Sequence, residues 1–176
     1  MSPQPQASKL HMRVSFDLDE VLFVSPVTHK TEPALRFPLN RIFRERLRLG
    51  TVRLIKELHA QGYEVWVYTS SFRSEKYIRR LFACYGVRFD GIVNGARHLR
   101  EVQRGHSETL PQKLPNRYNI ALHVDDESVI ASYGREFGFD VFELYAEDAD
   151  WAEKIIKTAS EVRQRRELRK KEHGGA

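Results

Sequence analysis

Asp17 and Asp19 lie in the stretch VSFDLDEVLF, where an apolar run with the look of a buried strand meets two aspartates separated by one leucine. In extended backbone that spacing sends both side chains to the same side. A second acidic pair, Asp125 and Asp126, ends another apolar run, NIALHVDDE. If the two runs are neighbours in a sheet, four carboxylates converge, and their repulsion costs stability and raises some of their pKa values. A hard divalent cation removes that repulsion. Mg²⁺ prefers oxygen ligands and typically takes one or two carboxylates with a phosphate, so Asp17, Asp19, Asp125 and Asp126 are the candidate metal residues.

A third apolar run, YEVWVYTSS, ends in hydroxyls that could donate to phosphoryl oxygens. Strand alignment favours Thr69 over Ser70 for that contact. A lysine would complete the neutralisation of a phosphate, and Lys113 stands twelve residues before Asp125, with Arg97 and Arg100 as alternatives. Carboxylate nucleophile, cation, hydroxyl and lysine together describe phosphoryl transfer through an aspartyl-phosphate. The plainer reading of an aspartate at a strand end is a turn or helix cap, which explains one such residue better than two flanking a leucine.

Other chemistries lack their residues. The chain has no GxSxG elbow, no GxGxxG and no Walker loop. Its single cysteine, Cys84, is followed six residues later by Asp90 rather than by the arginine a cysteine phosphatase needs, and reads as a small apolar side chain on a helix. His98 and His106 lack partners at metal-ligand spacing, and His123, inside a buried run, reads as a hydrogen-bonded core histidine.

The elements that must hold these residues alternate. Strands are expected at Met12–Phe16, in YEVWVYTSS, in GIVNGA, in NIALHVDDE and in DVFEL. Helices are expected at Thr51–Gln61, from a Ser74 cap to about Tyr85, at Ser128–Phe137, and from about Asp148–Asp150 with Trp151 and Ile155 as anchors. Strand then helix, repeated, implies a Rossmann-like three-layer α/β sandwich around a mainly parallel five-stranded sheet, and ligands in such sheets sit outside the carboxyl ends of the strands. DLDE, TSS and DDE all fall there.

With 176 residues, 41% of them hydrophobic, the length favours one domain. We expect disorder in the Pro/Gln/Ser-rich residues 1–8 and in the final HGGA, one folded domain over 9–159 with a flap at 22–50, and a basic tail over 160–176. Residues 151–176 hold eight Lys/Arg against four Asp/Glu, a net +4 of the chain's +5. That tail could act as an arm on nucleic acid, although it has no interleaved aromatics for stacking and reads more simply as a solvated helix. A second basic stretch, 36–56, could attract an anionic partner. No apolar run approaches the ~18 residues of a membrane span, and MSPQPQAS lacks the pattern of a signal peptide, so a cytoplasmic protein is expected.

FDLDEVL, Thr69 after VWVY, Lys113 and LHVDD resemble the four ordered motifs of the haloacid-dehalogenase-like (HAD) superfamily, over residues 12 to about 145. The resemblance implies that Asp17 attacks phosphorus and that Asp19 protonates the leaving oxygen and then deprotonates the hydrolytic water. Thr69 would hold the phosphoryl group and Lys113 would steady nucleophile and phosphate. Mg²⁺ would rest on Asp17, Asp125 and the backbone carbonyl of Asp19, with Asp126 acting through a metal-bound water. DLDEVL followed by VYTSSFRSEKYIRRLF is also similar to the small phosphatases of the RNA polymerase C-terminal domain, whose pattern is DLDETL with TASL; here Val21 replaces the threonine and VDDE the usual D-N pair. The gaps between motifs are too short for a cap domain, which implies an open site suited to a phosphoprotein or a nucleic-acid end, or to a small metabolite where oligomers close it. The rival expectation is a catalytically silent relative that binds nucleic acid or protein through its tail.

Overall fold

Five short strands, β1 (Arg13–Phe16), β2 (Glu64–Tyr68), β3 (Gly91–Val93), β4 (Ile120–Asp125) and β5 (Asp140–Glu143), form one sheet in the order β3-β2-β1-β4-β5. Every neighbouring pair is parallel. The computed structural model describes residues 11–173, so the expectations for residues 1–8 and for the last three residues lie outside it. Six helices accompany the sheet among the described residues: α1 (Leu39–Ile42), α2 (Thr51–Ala60), α3 (Glu75–Cys84), α4 (Gly95–His98), α5 (Ser128–Phe137) and α6 (Trp151–His173). None is long and apolar enough to cross a membrane.

The strand period of two sorts the core into two layers. Val14, Phe16, Val65, Val67, Leu122 and Val124 face one side, where they meet Leu54, Ile55 and Leu58 of α2, Ile78 and Phe82 of α3, and Ile155 and Ala159 of α6. On the other side Ile130 of α5 packs with Val102, Leu114 and Phe139. The expected α/β sandwich is therefore present, parallel throughout.

Local signals explain most boundaries. The Ser74 hydroxyl accepts from the Tyr77 N–H and opens α3. Gly50 caps α2 at φ 95, a left-handed conformation that glycine tolerates, and its open side lies against Trp151. The Trp151 indole N–H donates to the Leu49 carbonyl at 3.0 Å, which ties the start of α6 to the entrance of α2.

Three parts were not visible beforehand. A π-helical turn at Leu99–Gln103 continues α4, and a 3₁₀ turn occupies Pro115–Tyr118, where a loop was expected. Leu99 and Val102 in the first and Tyr118 in the second are too few apolar residues to show a period. Helix α6 crosses the expected tail boundary at 159/160 unbroken to His173, with Val162 buried. Segment 22–50 leaves and rejoins the body through a narrow neck, in which Val24 N–H donates to Arg46 and Arg48 N–H to Leu22, at 3.0 and 2.9 Å. The basic residues of 36–56 do not form one patch: Arg46 bonds to Thr31, Arg48 to His29 and the Glu20 carbonyl, and Arg53 pairs with Glu153, while Arg36, Arg41 and Arg44 are exposed.

Candidate active site

β1 leads to β2 on one side of it, and the chain later returns to β4 on the other, so the crevice between β1 and β4 is the switch point of the sheet. A β-bulge sets the register there. Arg13 is opposite Ile120, but Val14 is opposite Leu122, so Ala121 is the extra residue. The shift places Ser15 beside His123 and Phe16 beside Val124, and the next N–H, that of Asp17, donates to the Val124 carbonyl at 3.0 Å. Without the extra residue, Ser15 would face Leu122 and the acids would be out of step.

Lys113 fills the space between the acids. Its Nζ donates to Asp17 Oδ2 at 2.7 Å and to Asp125 Oδ2 at 2.5 Å, and the lysine is 1% exposed. Burial works against its charge, but the Asp17 and Asp125 carboxylates outweigh it and hold the Lys113 pKa above its ordinary value. For Asp125, burial works upward, and the His123 and Lys113 contacts more than offset it, holding the carboxyl below its ordinary range. The second oxygens are used as well: Asp17 Oδ1 accepts from the Leu18 N–H at 2.7 Å, and Asp125 Oδ1 from the Glu127 N–H at 3.0 Å, a turn that leads into α5.

Below the acids a polar chain enters the sheet. His123 Nε2 lies 2.9 Å from Asp125 Oδ2 and His123 Nδ1 2.7 Å from Ser15 Oγ, all of them buried. A carboxylate only accepts, so Nε2 carries a proton and donates to Asp125, while Nδ1 and the Ser15 hydroxyl share the other hydrogen bond. His123 is thus the satisfied core histidine expected from the sequence, and it also props the acid.

Asp126 is half-buried beside this pair. Burial, then Asp125 and Asp17, raise its carboxyl pKa. One carboxylate oxygen from each of Asp17, Asp125 and Asp126 lies within 4.8 Å of the other two. Three carboxylates against one ammonium leave a surplus of negative charge in a mostly buried, all-oxygen setting, which is the donor set a hard divalent cation such as Mg²⁺ suits.

Asp19 goes elsewhere. β1 ends at Phe16, and the Leu22 and Phe23 N–H groups turn back to the Leu18 carbonyl, so extended spacing does not continue through Asp19. Its carboxylate, about half exposed, accepts from Arg73 Nη1 at 2.8 Å and is not among the three clustered acids. Arg73 also reaches Glu45 of the flap at 3.3 Å, and the Tyr77 hydroxyl donates to the same carboxylate. Sequence reasoning missed Arg73, although it is the one cation between TSS and the Ser74 cap.

Thr69 is buried at the end of β2, its N–H bonded to the Val93 carbonyl and its Oγ1 accepting from the Ser71 N–H at 3.2 Å, while Ser70 is exposed. The loop beyond them rests on the turn after β3. Asn94 Nδ2 donates to the Arg73 carbonyl and the Gly95 N–H to the Ser71 carbonyl, both at 2.9 Å. A Cβ at Gly95 would lie 2.4 Å from the Ser70 carbonyl oxygen, so only glycine allows this approach.

Neither a protein-family model nor a curated protein matches the sequence. Among solved structures, the chain is similar to one from the Pnkp1/Rnl/Hen1 RNA repair complex, 17% identical, covering 81% of this chain and 45% of that chain at a TM-score of 0.51. It thus spans less than half the length of that protein. It is also similar to a HAD-superfamily hydrolase of subfamily IA from Geobacter sulfurreducens PCA, 13% identical, covering 75% and 88% of the two chains at a TM-score of 0.48. A HAD-like family hydrolase from Porphyromonas gingivalis is 14% identical, with 84% and 97% covered at a TM-score of 0.47. At such identities the likeness is one of fold alone.

Proposed function

We propose that the chain is a Mg²⁺-dependent phosphomonoester hydrolase that works through an aspartyl-phosphate on Asp17. The observation that carries the reading is the buried Asp17–Lys113–Asp125 arrangement with Asp126 as a third acid, at the switch point of the sheet. Asp17, Asp125 and Asp126 would hold the cation, which when bound supplies positive charge against the phosphoryl oxygens.

An Asp17 carboxylate oxygen attacks phosphorus, and the bond from phosphorus to the leaving oxygen breaks as Asp19 delivers a proton to that oxygen. Water then attacks the same phosphorus, giving its proton to Asp19, and the bond to Asp17 breaks to release phosphate. Lys113 fixes the attacking carboxylate and offsets charge on the transferred group. Thr69 and the Ser70 hydroxyl donate to phosphoryl oxygens. For Asp19 to carry a proton its ion pair with Arg73 must open, and a substrate phosphate is the anion that draws Arg73 away. Since segment 22–50 is a flap and not a cap domain, the site suits a phosphate on a bulky carrier, such as a phosphoprotein or a nucleic-acid end.

The test is steady-state hydrolysis of para-nitrophenyl phosphate by wild type and Asp17→Asn, each with Mg²⁺ and with EDTA. Metal-dependent release of phosphate that vanishes in the variant is expected. No turnover, with no stabilisation of the wild type by a beryllium fluoride mimic, would leave the silent binding protein as the better reading.

A further inference from the structure

Lys113 lies between the π-helical turn that ends at Gln103 and the 3₁₀ turn that begins at Pro115, in a stretch that is neither strand nor helix. Irregular stretches are where a chain opens most readily. Yet this ammonium must meet two carboxylates at once, at 2.7 and 2.5 Å. A displacement of about 1 Å at such a group can cost about 10²-fold in rate.

Two side chains from outside the stretch hold it. Tyr68, the last residue of β2, is fully buried, and its hydroxyl accepts from the Leu114 N–H at 3.0 Å, the backbone group next after Lys113. The same hydroxyl lies 2.6 Å from Nδ1 of His98, which is buried at the end of α4. The His98 ring is also hydrogen-bonded to the backbone of Pro111, two residues before Lys113. Proline has no N–H, so its carbonyl is the acceptor. Burial lowers the His98 pKa and the Pro111 contact offsets this only in part, so the ring is neutral at pH 7. A neutral imidazole has one donor and one acceptor. With the donor given to Pro111, Nδ1 accepts from the Tyr68 hydroxyl. Burial raises the Tyr68 pKa, the Leu114 N–H offsetting part of the rise, so that hydroxyl keeps its proton. Donors and acceptors therefore match along the whole circuit: Leu114 N–H to Tyr68, Tyr68 O–H to His98, His98 N–H to Pro111.

We propose that Tyr68 and His98 are positioning residues that clamp the loop on both sides of Lys113 and so fix where its ammonium stands between Asp17 and Asp125. What this placement does for turnover rests on the hydrolase reading, whereas the clamp itself does not.

The test is acetylation of the full chain by acetic anhydride, read lysine by lysine by mass spectrometry. Lys113 is 1% exposed and reacts only through local opening, so its rate reports the clamp. Tyr68→Phe removes one oxygen and orphans the Leu114 N–H. Labelling of Lys113 is expected to rise about 5–150-fold, the factor that one orphaned buried donor carries. Labelling of Lys154, which is exposed and needs no opening, is expected to stay within about twofold. His98→Asn keeps an acceptor for Tyr68 but is too short for Pro111, and a smaller rise is expected. Ile55→Val, in the core on the other face of the sheet, costs stability without touching the clamp and is expected to leave Lys113 within about twofold. In turnover of an aryl phosphate, Tyr68→Phe is expected to lower kcat about 10²-fold. KM is expected to hold, since disturbance of the neighbouring Thr69 would appear there instead. In the Lys113→Met background Tyr68→Phe is expected to cost nothing further, because the two residues act as one unit. Unchanged Lys113 labelling in Tyr68→Phe, an equal rise in Ile55→Val, or a kcat loss that persists in full beside Lys113→Met each overturns the proposal. If wild type shows no turnover, the hydrolase reading falls and the labelling alone decides the clamp.

Discussion

Replacing Lys113 by methionine keeps the length of the side chain and removes the ammonium that Asp17 and Asp125 share. Asp125 retains His123 and the Glu127 N–H, whereas Asp17 retains only the Leu18 N–H, so the cost falls chiefly on Asp17. Leaving one member of a buried ion pair without its partner costs about 3–5 kcal/mol. For a chain of this size each kcal/mol moves Tm by about 2–4 °C, so Lys113→Met is expected to melt about 6–20 °C below wild type in EDTA. Mg²⁺ at a hundred times its Kd contributes about 2.7 kcal/mol to the wild type. The variant presents three carboxylates with no ammonium among them, so Mg²⁺ is expected to raise its Tm by more than it raises that of wild type. Lowering the pH from 7 to 5.5 is expected to narrow the gap in EDTA, because uncompensated buried carboxylates take up protons on folding. Thermal melts of the two proteins, with EDTA or Mg²⁺ and at both pH values, read all three effects. A melting difference below about 3 °C in EDTA, or a larger Mg²⁺ gain in wild type, would refute the charge balance assigned to this site.

Asp19→Asn is expected to keep the Mg²⁺-induced rise in Tm and to lose about 10²–10⁴ in kcat, the range for a removed proton-transfer group; turnover near wild type would remove Asp19 from the mechanism. Arg73→Gln frees Asp19 and removes a phosphate donor, so KM for an aryl phosphate is expected to rise while Tm stays within about 2 °C, as for other partly exposed ion pairs; an unchanged KM would make Arg73 a tether only. Asp125 has a folded pKa near 2 against 3.8, so its contribution to stability is full above pH 3.8 and is lost as pH falls toward 2, which acid titration of the melting temperature follows. Gly95→Ala must push the Ser70 carbonyl away, and a loss of about 1–3 kcal/mol with reduced turnover is expected; a neutral result would mean that the loop gives way freely.

How much of this was legible in the sequence depended on the range of the cause. Strands and helices showed because their apolar periods are local, and Ser74 marked the start of α3 as a cap should. Asp17, Lys113 and Asp125 could be paired on paper because their charges and strand-end positions are written in the chain. The bulge at Ala121, which puts the acids side by side, leaves no mark, since a bulge is a property of two strands together. The path of Asp19 depended on a turn in which the Leu22 and Phe23 N–H groups return to the Leu18 carbonyl and the Glu20 N–H reaches forward to that of Phe23. Arg73 was hidden by its ordinary setting, since an arginine before a helix cap is usually solvated. The length of α6 was obscured because past Ala159 only Val162 continues its apolar side among charges.

Ser15 and His123 are fully buried, each two residues ahead of an aspartate of the candidate site. In a library of random substitutions scored for abundance, these positions would resemble their apolar neighbours Val14 and Leu122, and small replacements that fill the space would survive. Scored for turnover, the same replacements would separate from those neighbours, because they alter what supports Asp125 and leave the packing alone. Disagreement between the two scores is therefore the mark by which an interior residue of this chain declares itself part of the site.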